Sequence, residues 1–260
     1  MKYEQAIVTY IDILGFSDLV SAKTSQEIHE ILMLIEKAAT PCDSNKWLYA
    51  PETKVFSDSI IRIRKINTKA NIDLHIGLLF YELSDLIAVQ VDLICGNILI
   101  RGGITFGKIY VDDNKIYGPA FIRAHDLESK FANYPRVVVD PALIREFKKN
   151  NLLRNENHSL KQESSYIKEM IRLGDDGLYF IDYLRSFITE NPDLYLVFLK
   201  KHREIISESI KKYKDHNEVI KKYLWMANYH NILIDELMKK YKAKEYLQEL
   251  HINSCYFPSL

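Results

Sequence analysis

Two aspartates stand where a carboxylate is costly. Asp12 lies near the end of the apolar run AIVTYIDIL (Ala6–Leu14), just before Gly15, and Asp58 lies between Ser57 and Ser59 in KVFSDSIIRI (Lys54–Ile63). A carboxylate inside an apolar strand needs a partner. A divalent cation is one such partner, and two carboxylates from neighbouring strand ends can share it. Hard oxygen donors select Mg²⁺ or Mn²⁺. Taken alone, an Asp at a strand end is more often a turn former or a helix cap. The turn Leu14-Gly15-Phe16-Ser17 has exposed amides that could hold phosphate oxygens, or it is a plain strand-to-helix turn. The segment Arg101-Gly102-Gly103-Ile104-Thr105-Phe106-Gly107-Lys108 carries a basic residue at each end. Its glycines mark close approach of a backbone or a ligand, or a bulged hairpin with solvated charges.

These groups need elements to position them. Ala6–Leu14 is β-branched and aromatic and reads as a buried strand. Ile28, Ile31, Leu32 and Ile35 recur at helical spacing, with Ser25 as the expected N-cap. Thr40–Pro51 reads as a loop, and Lys54–Ile63 as a hairpin turning at Ser57-Asp58. Ile72–Ile94 predicts one long buried helix ended by Gly96-Asn97. Ile98–Val111 predicts two strands meeting near Phe106-Gly107. Helices follow over Pro119–Phe131 and Pro141–Lys149, with a strand at Arg136–Val139 between them. This alternation predicts an α+β sandwich on a split βαβ plan.

Asn150–Ser165 is polar and reads as a loop, and Gly177–Tyr183 as a last strand. Pro192–Leu250 is helical and heavily charged, two or three helices whose charges are mostly solvated faces. The division expected is a domain over residues 1–185 and a helical extension over 186–260.

The 260 residues balance 35 Lys and Arg against 35 Asp and Glu, which argues against a generic nucleic-acid binder. Cys42, Cys95 and Cys255 show no CxxC or zinc-finger spacing, so reduced thiols are expected. His125, His202 and His230 have no metal-ligand spacing and read as surface or packing residues. The longest apolar stretch, Leu74–Ile94, is broken by Glu82, Asp85, Gln90 and Asp92, too polar for a membrane span. With no signal peptide either, a cytoplasmic location is expected.

Taken in order, YIDILGFSD, KVFSDS, RGGITFGKI and YGPAFIRAHDLES resemble the four motifs of the class III nucleotidyl cyclases over roughly residues 5 to 140. DILGFS, FSDS, YGPA and the tail KKYLWMANYHN look closest to the bacterial pyrimidine nucleotide cyclases of the Pycsar anti-phage system. The resemblance implies a ferredoxin-like core with an antiparallel sheet and helices. It implies cyclisation of UTP or CTP to the 3′,5′-cyclic monophosphate, with release of pyrophosphate and a separate downstream effector that senses the product. It also implies a homodimer with its sites at the interface.

By the same resemblance, Asp12, Asp58 and the Ile13 carbonyl would hold two Mn²⁺ or Mg²⁺ ions. The amides of Gly15, Phe16 and Ser17 would hold the β- and γ-phosphates. Lys108 matches a triphosphate-binding position, and Arg172 is a looser match to another. Lys54 and Lys115 fall at or near the base-reading positions, where two lysines fit neither the adenine nor the guanine pattern; their donors suit pyrimidine carbonyls. Where the family carries its transition-state Asn and Arg, this chain has Ile122 and Asp126, so Arg123 or Arg101 would have to substitute. Lys54, Lys115 and Arg123 would come from the second subunit. An adenylate or guanylate cyclase, or a silent nucleotide-binding homologue, are the alternatives.

Overall fold

A computed structural model describes residues 2–40, 50–187, 191–241 and 244–253. Cys42, Cys255 and most of the loop expected at Thr40–Pro51 lie outside the described residues. In chain order the first elements are β1 (Glu4–Ile13), α1 (Phe16–Ala22), α2 (Ser25–Ala39), β2 (Glu52–Phe56) and β3 (Ser59–Lys65). Then come α3 (Lys69–Leu74), α4 (Leu78–Cys95), β4 (Ile100–Val111), β5 (Ile116–Tyr117) and α5 (Pro119–Asp126), which runs on into a π-turn over Leu127–Phe131. Next are β6 (Val137–Val139), α6 (Pro141–Lys149), α7 (Leu160–Met170), β7 (Ile171–Leu173), β8 (Tyr179–Ile181) and α8 (Tyr183–Ser186). The chain ends in α9 (Pro192–Lys212), α10 (Asn217–Lys240) and α11 (Lys244–Leu250).

The strands form one mixed sheet in the order β2-β3-β1-β4-β6-β8-β7, with β5 paired to β4. β1 lies between β3 and β4 and is antiparallel to both. The first four strands thus form the split βαβ expected, in an α+β fold. β4 and β6 are parallel, joined by α5.

Several local expectations need correction. Thr24, not Ser25, caps α2: its extended backbone places Ser25 already in the helix, and its amide and hydroxyl form a capping box with Glu27. The helix expected over Ile72–Ile94 is broken, because His75 (φ 38°) and Gly77 (φ 84°) take left-handed conformations between α3 and α4. Ile98–Val111 is not a hairpin but one strand, β4; the turn comes later, where Asp112 Oδ1 accepts from the amides of Asn114 (2.9 Å) and Lys115 (2.8 Å). The glycines of β4 serve close packing instead. A Cβ on Gly102 would sit 2.6 Å from the Tyr10 carbonyl, and one on Gly103 would sit 2.6 Å from the Ala124 carbonyl of α5. The expected loop at Asn150–Ser165 contains the start of α7, and β7 is a strand the sequence pattern did not reveal.

The sheet buries both faces unequally. On one face Ile7, Ile11, Ile60 and Ile104 join a cluster that runs through α4 to Phe198, Met226 and Ile234 of α9 and α10. On the other, Ala6, Val8, Ile61, Ile63 and Ile109 form a smaller cluster with Ala120, Phe121 and Ala124 of α5. The terminal helices therefore share the core of the sheet. Trp225 stacks on Tyr134 at 5.1 Å, and Arg136 lies over the rings of Tyr134, Phe180 and Trp225.

A buried ion cluster ties the first face together. Arg62 reaches Glu82 through Nε (3.0 Å) and Nη2 (3.0 Å), and Asp85 at 2.6 Å. Arg64 Nε donates to Glu82 at 2.6 Å, and Thr9 Oγ1 at 2.7 Å. Arg64 also pairs with Asp85, and Arg62 donates to the Ala39 carbonyl. Burial would push the Glu82 carboxyl up, but the charges of Arg62 and Arg64 outweigh it and hold it at about 2.

The terminal helices carry a second buried polar chain. The Tyr183 hydroxyl lies 2.9 Å from His202 Nε2, His202 Nδ1 lies 3.0 Å from His230 Nδ1, and His230 Nε2 lies 3.0 Å from the Leu250 carbonyl. A carbonyl only accepts, so His230 carries its proton on Nε2 and accepts at Nδ1. His202 then donates from Nδ1 and accepts from Tyr183, with both rings neutral. His202 and His230 are thus packing residues, as expected, while His125 is exposed against the Tyr10 ring.

Two predictions follow from these clusters. Glu82→Gln removes the fully buried carboxylate that two buried guanidinium groups share, leaving them Asp85, and should cost about 3–5 kcal/mol in urea unfolding. Glu218→Gln, which breaks an exposed pair with Lys221, should cost less than about 1 kcal/mol. Equal losses would show that the buried cluster has no special weight. Burial lowers the pKa of both imidazoles, His230 to about 4, with the His230 charge also opposing protonation of His202. The folded chain therefore binds fewer protons here than the unfolded one. Their contribution to stability is complete above about pH 6.5 and is lost as pH falls toward 4. In NMR titrations, two of the eight imidazoles should stay neutral from pH 7.5 down to about 5; a midpoint near 6.5 at His202 or His230 would contradict the arrangement.

Candidate active site

Strand register assembles the candidate site. Asp12, next to last in β1, faces Ser59 across one strand pair and Arg101 across the other. Asp58 stands in the two-residue turn between β2 and β3, where Ser57 takes φ 54°. The Asp58 carbonyl accepts from the Ile13 amide at 3.3 Å, which clamps that turn to the end of β1. Beyond Ile13 the chain turns at Gly15, in the left-handed region at φ 76°, and enters α1 with Phe16 and Ser17. The amides of Asp18 and Leu19 return to the Gly15 carbonyl (3.1 and 3.2 Å).

Both oxygens of Asp12 have partners. Oδ1 accepts from Ser59 Oγ at 3.3 Å, and Ser59 in turn accepts from the Tyr10 hydroxyl at 2.9 Å. Oδ2 accepts from Arg101 Nη2 at 3.2 Å. Arg101 Nε lies 2.7 Å from Oε1 of the buried Glu128, in the π-turn after α5. Burial raises the Asp12 pKa and the neighbouring Asp58 raises it further, while Arg101 pulls it back. Burial pushes Glu128 up to about 7 against the pull of Arg101, with Asp12 and Asp58 adding to the rise. Three carboxyl groups and one guanidinium thus share a half-buried corner of the sheet.

That corner suits a hard cation. Two carboxylates pressed together at a strand end and a turn, short of positive charge, are oxygen donors of the type that Mg²⁺ and Mn²⁺ take. Among the described residues no group of three or more His, Cys, Asp or Glu is arranged around one ion. A cation here would rest on Asp12 and Asp58 and complete its shell with backbone, water or substrate oxygens.

The other residues singled out from the sequence stand elsewhere. Lys54 of β2 shares the sheet face of Asp12, opposite Ile61, and lies 3.5 Å from Glu52. Lys108 is exposed opposite Gln5, seven residues along β4 from Arg101, roughly 23 Å away at strand rise. Lys115 lies beyond it in the β4–β5 turn. Arg123 is held by Asp140 at 2.8 Å and sits over the Phe131 ring, one turn away from Glu128 rather than beside Asp12. Arg172 lies on β7, four strands from β1, over the Tyr229 ring. One protomer therefore joins Asp12, Ile13, Asp58, Gly15 and Arg101, and leaves Lys54, Lys108, Lys115 and Arg123 apart from them.

Glu128, Ser59 and Tyr10 were not foreseen. Glu128 closes the AHDLE segment among Arg123, His125, Asp126 and Lys130, where nothing in the sequence marks it out from its charged neighbours.

The chain matches no family model and no curated protein. Among solved structures it is similar to the monomeric guanylyl cyclase domain of a rhodopsin fusion protein from the aquatic fungus Blastocladiella emersonii. The two share 14% identity over 69% of this chain and 95% of that one, with a TM-score of 0.43. It is similar to the guanylyl cyclase Cya2 (10% identity, 70% and 93% coverage, TM-score 0.44). It is also similar to the adenylyl cyclase CyaB from P. aeruginosa (14% identity, 69% and 94% coverage, TM-score 0.40).

Proposed function

We propose that this chain is a metal-dependent nucleotidyl cyclase acting on a pyrimidine nucleoside triphosphate, UTP or CTP. The observation that carries the reading is the pairing of Asp12 with Asp58 beside the Gly15 turn. The four motifs in order supply the rest. In the reaction, the ribose 3′-hydroxyl loses its proton to solvent water, its oxygen attacks the α-phosphorus, the bond to the β-phosphate oxygen breaks, and pyrophosphate leaves with its electron pair. When bound, the divalent cations lower the pKa of the 3′-hydroxyl and offset triphosphate charge.

The chain's own residues have separate tasks. Asp12, Asp58 and the Ile13 carbonyl hold the cations. The Gly15–Ser17 turn orients the β- and γ-phosphates. Arg101, already beside Asp12, donates to charge that develops on the α-phosphate. Residues 1–185 form the catalytic domain and 186–260 a helical extension. Two chains pair antiparallel in a homodimer, so that Lys54, Lys115 and Arg123 of one subunit face the cations of the other, an isologous arrangement. The exposed Phe56 of β2 and Ile122 of α5 favour a covered face on that side of the sheet. The product serves as a second messenger in defence against phage.

A second reading has an observation of its own. Ile122 cannot donate a hydrogen bond, Asp126 is paired with Lys130 at 2.7 Å, and Arg123 is engaged by Asp140. A chain whose transition-state donors are absent or occupied binds nucleotide without turning it over.

Turnover of each of the four NTPs with Mn²⁺ tests these readings. Cyclic product is expected from UTP or CTP; product from ATP or GTP would overturn the pyrimidine assignment. Binding without any product would favour the silent homologue. Asp12→Asn and Asp58→Asn should each lower product formation by about 100-fold or more and leave the elution volume of the dimer unchanged. Full activity in either variant would contradict the assignment of the cation ligands.

A further inference from the structure

A cavity of about 380 Å³ opens directly behind the Gly15 turn. One wall is the end of β1 and the start of α1, with Ile13 and Gly15. The opposite wall is built by α9 and α10, with Tyr213, Lys212 and Lys222. The terminal helices thus reach the end of β1 and the turn at Gly15.

The charges around this cavity are unequally satisfied. Lys23 is paired with Glu27 at 3.2 Å. Asp18 accepts from the Tyr213 hydroxyl at 3.2 Å, and Lys212 lies over the Tyr213 ring at 4.8 Å. Lys222 is half-buried and, among the described residues, has no hydrogen bond or ion pair. The charges that act on it are Arg101, of like sign, and Asp18. A lysine drawn out of water toward an arginine, with no carboxylate in contact, lacks an anion. Arg101, whose charge acts on Lys222, is also the residue that touches Asp12, so Lys222 and the candidate cation ligands share one neighbour.

We infer that this cavity receives the terminal phosphates of the triphosphate and that Lys222, supplied by the helical extension, is one of their ligands. The inference rests on the cyclase reading for the identity of the ligand. It gives α9 and α10 a part in substrate binding from within the same subunit. The pyrophosphate product leaves from the same place, so its affinity should follow that of the substrate.

Calorimetric titration of the full chain with inorganic tripolyphosphate tests the site without turnover. Wild type should bind, Lys222→Gln should bind about tenfold more weakly or worse, and Lys222→Arg should stay within about threefold of wild type. Lys221→Gln, one residue away on the exposed side of α10, should change nothing. In turnover, Lys222→Gln should raise KM for the preferred NTP and the inhibition constant of pyrophosphate by the same factor. No tripolyphosphate binding by wild type, or equal binding by Lys222→Gln, would overturn the inference even if the chain is an active cyclase. A chain that cyclises no NTP yet binds tripolyphosphate through Lys222 would retain this anion site and lose the cyclase reading.

Discussion

The contact of Thr9, Arg62 and Glu82 sets the register on which the candidate site depends. Thr9 and Arg62 are direct partners across β1 and β3, and both bond to Glu82 of α4. Three residues on, the same register places Asp12 opposite Ser59 and beside the Asp58 turn. A slip of β3 by one residue would turn Arg62 and Arg64 to the other face of the sheet, away from Glu82 and Asp85. It would also carry Asp58 off Asp12. Apolar pairs such as Val8 with Ile63 tolerate a shifted neighbour at modest cost; a buried guanidinium without its carboxylate does not. The ion cluster therefore specifies an alignment that the many isoleucines of β1 and β3 leave open.

The opposite face of β1 is arranged in the reverse sense. Around Glu82, two guanidinium groups meet two carboxylates and the charges close. Around Asp12, three carboxyl groups meet one guanidinium; burial above all, with the neighbouring carboxylates adding to it, raises the pKa values of Asp12 and Glu128. Both corners lie on the same strands, a few residues apart. One is shut under α4 and complete. The other is only partly covered, by the single helix α5 and its π-turn, and lacks positive charge. A strand that carries a satisfied cluster on one face and an unsatisfied one on the other suits a rigid base for a cation-binding edge.

Much of this was legible in the sequence, and the omissions have physical causes. Ile- and Val-rich runs located β1 and β3, and Ser57-Asp58 located the turn between β2 and β3, because strand period and turn chemistry are local. Asp12 and Asp58 stood out because a charge inside an apolar run is anomalous. The single strand β4 was misread as a hairpin because glycine signals either a bend or a close approach; whether α5 lies on Gly103 is decided by residues twenty positions later. The helix break at Gly77 was hidden by apolar residues on both sides, since burial masks a left-handed turn. Lys222 was one lysine among many on charged helices. Only the packing of α10 against the end of β1 distinguishes it from Lys221.

β1 and β4 carry the two groups of functional candidates at opposite ends. Asp12 and Arg101 pair at one end, and Lys108 faces Gln5 near the other, with Lys115 past it. Seven residues of continuous strand keep them apart, and a strand cannot fold back to join them. In the proposed antiparallel pair, a two-fold axis across the face beside α5 sets the Lys115 end of one sheet against the Asp12 end of the other. The same face carries Lys54 and the exposed Phe56, and its cover in the single chain is thin. In the proposed reading a lone subunit could hold cations and phosphate, but its own Lys54, paired with Glu52, and its exposed Lys115 stand apart from Asp12. The proposed division, with phosphate ligands in one chain and base ligands in the next, would make turnover conditional on assembly.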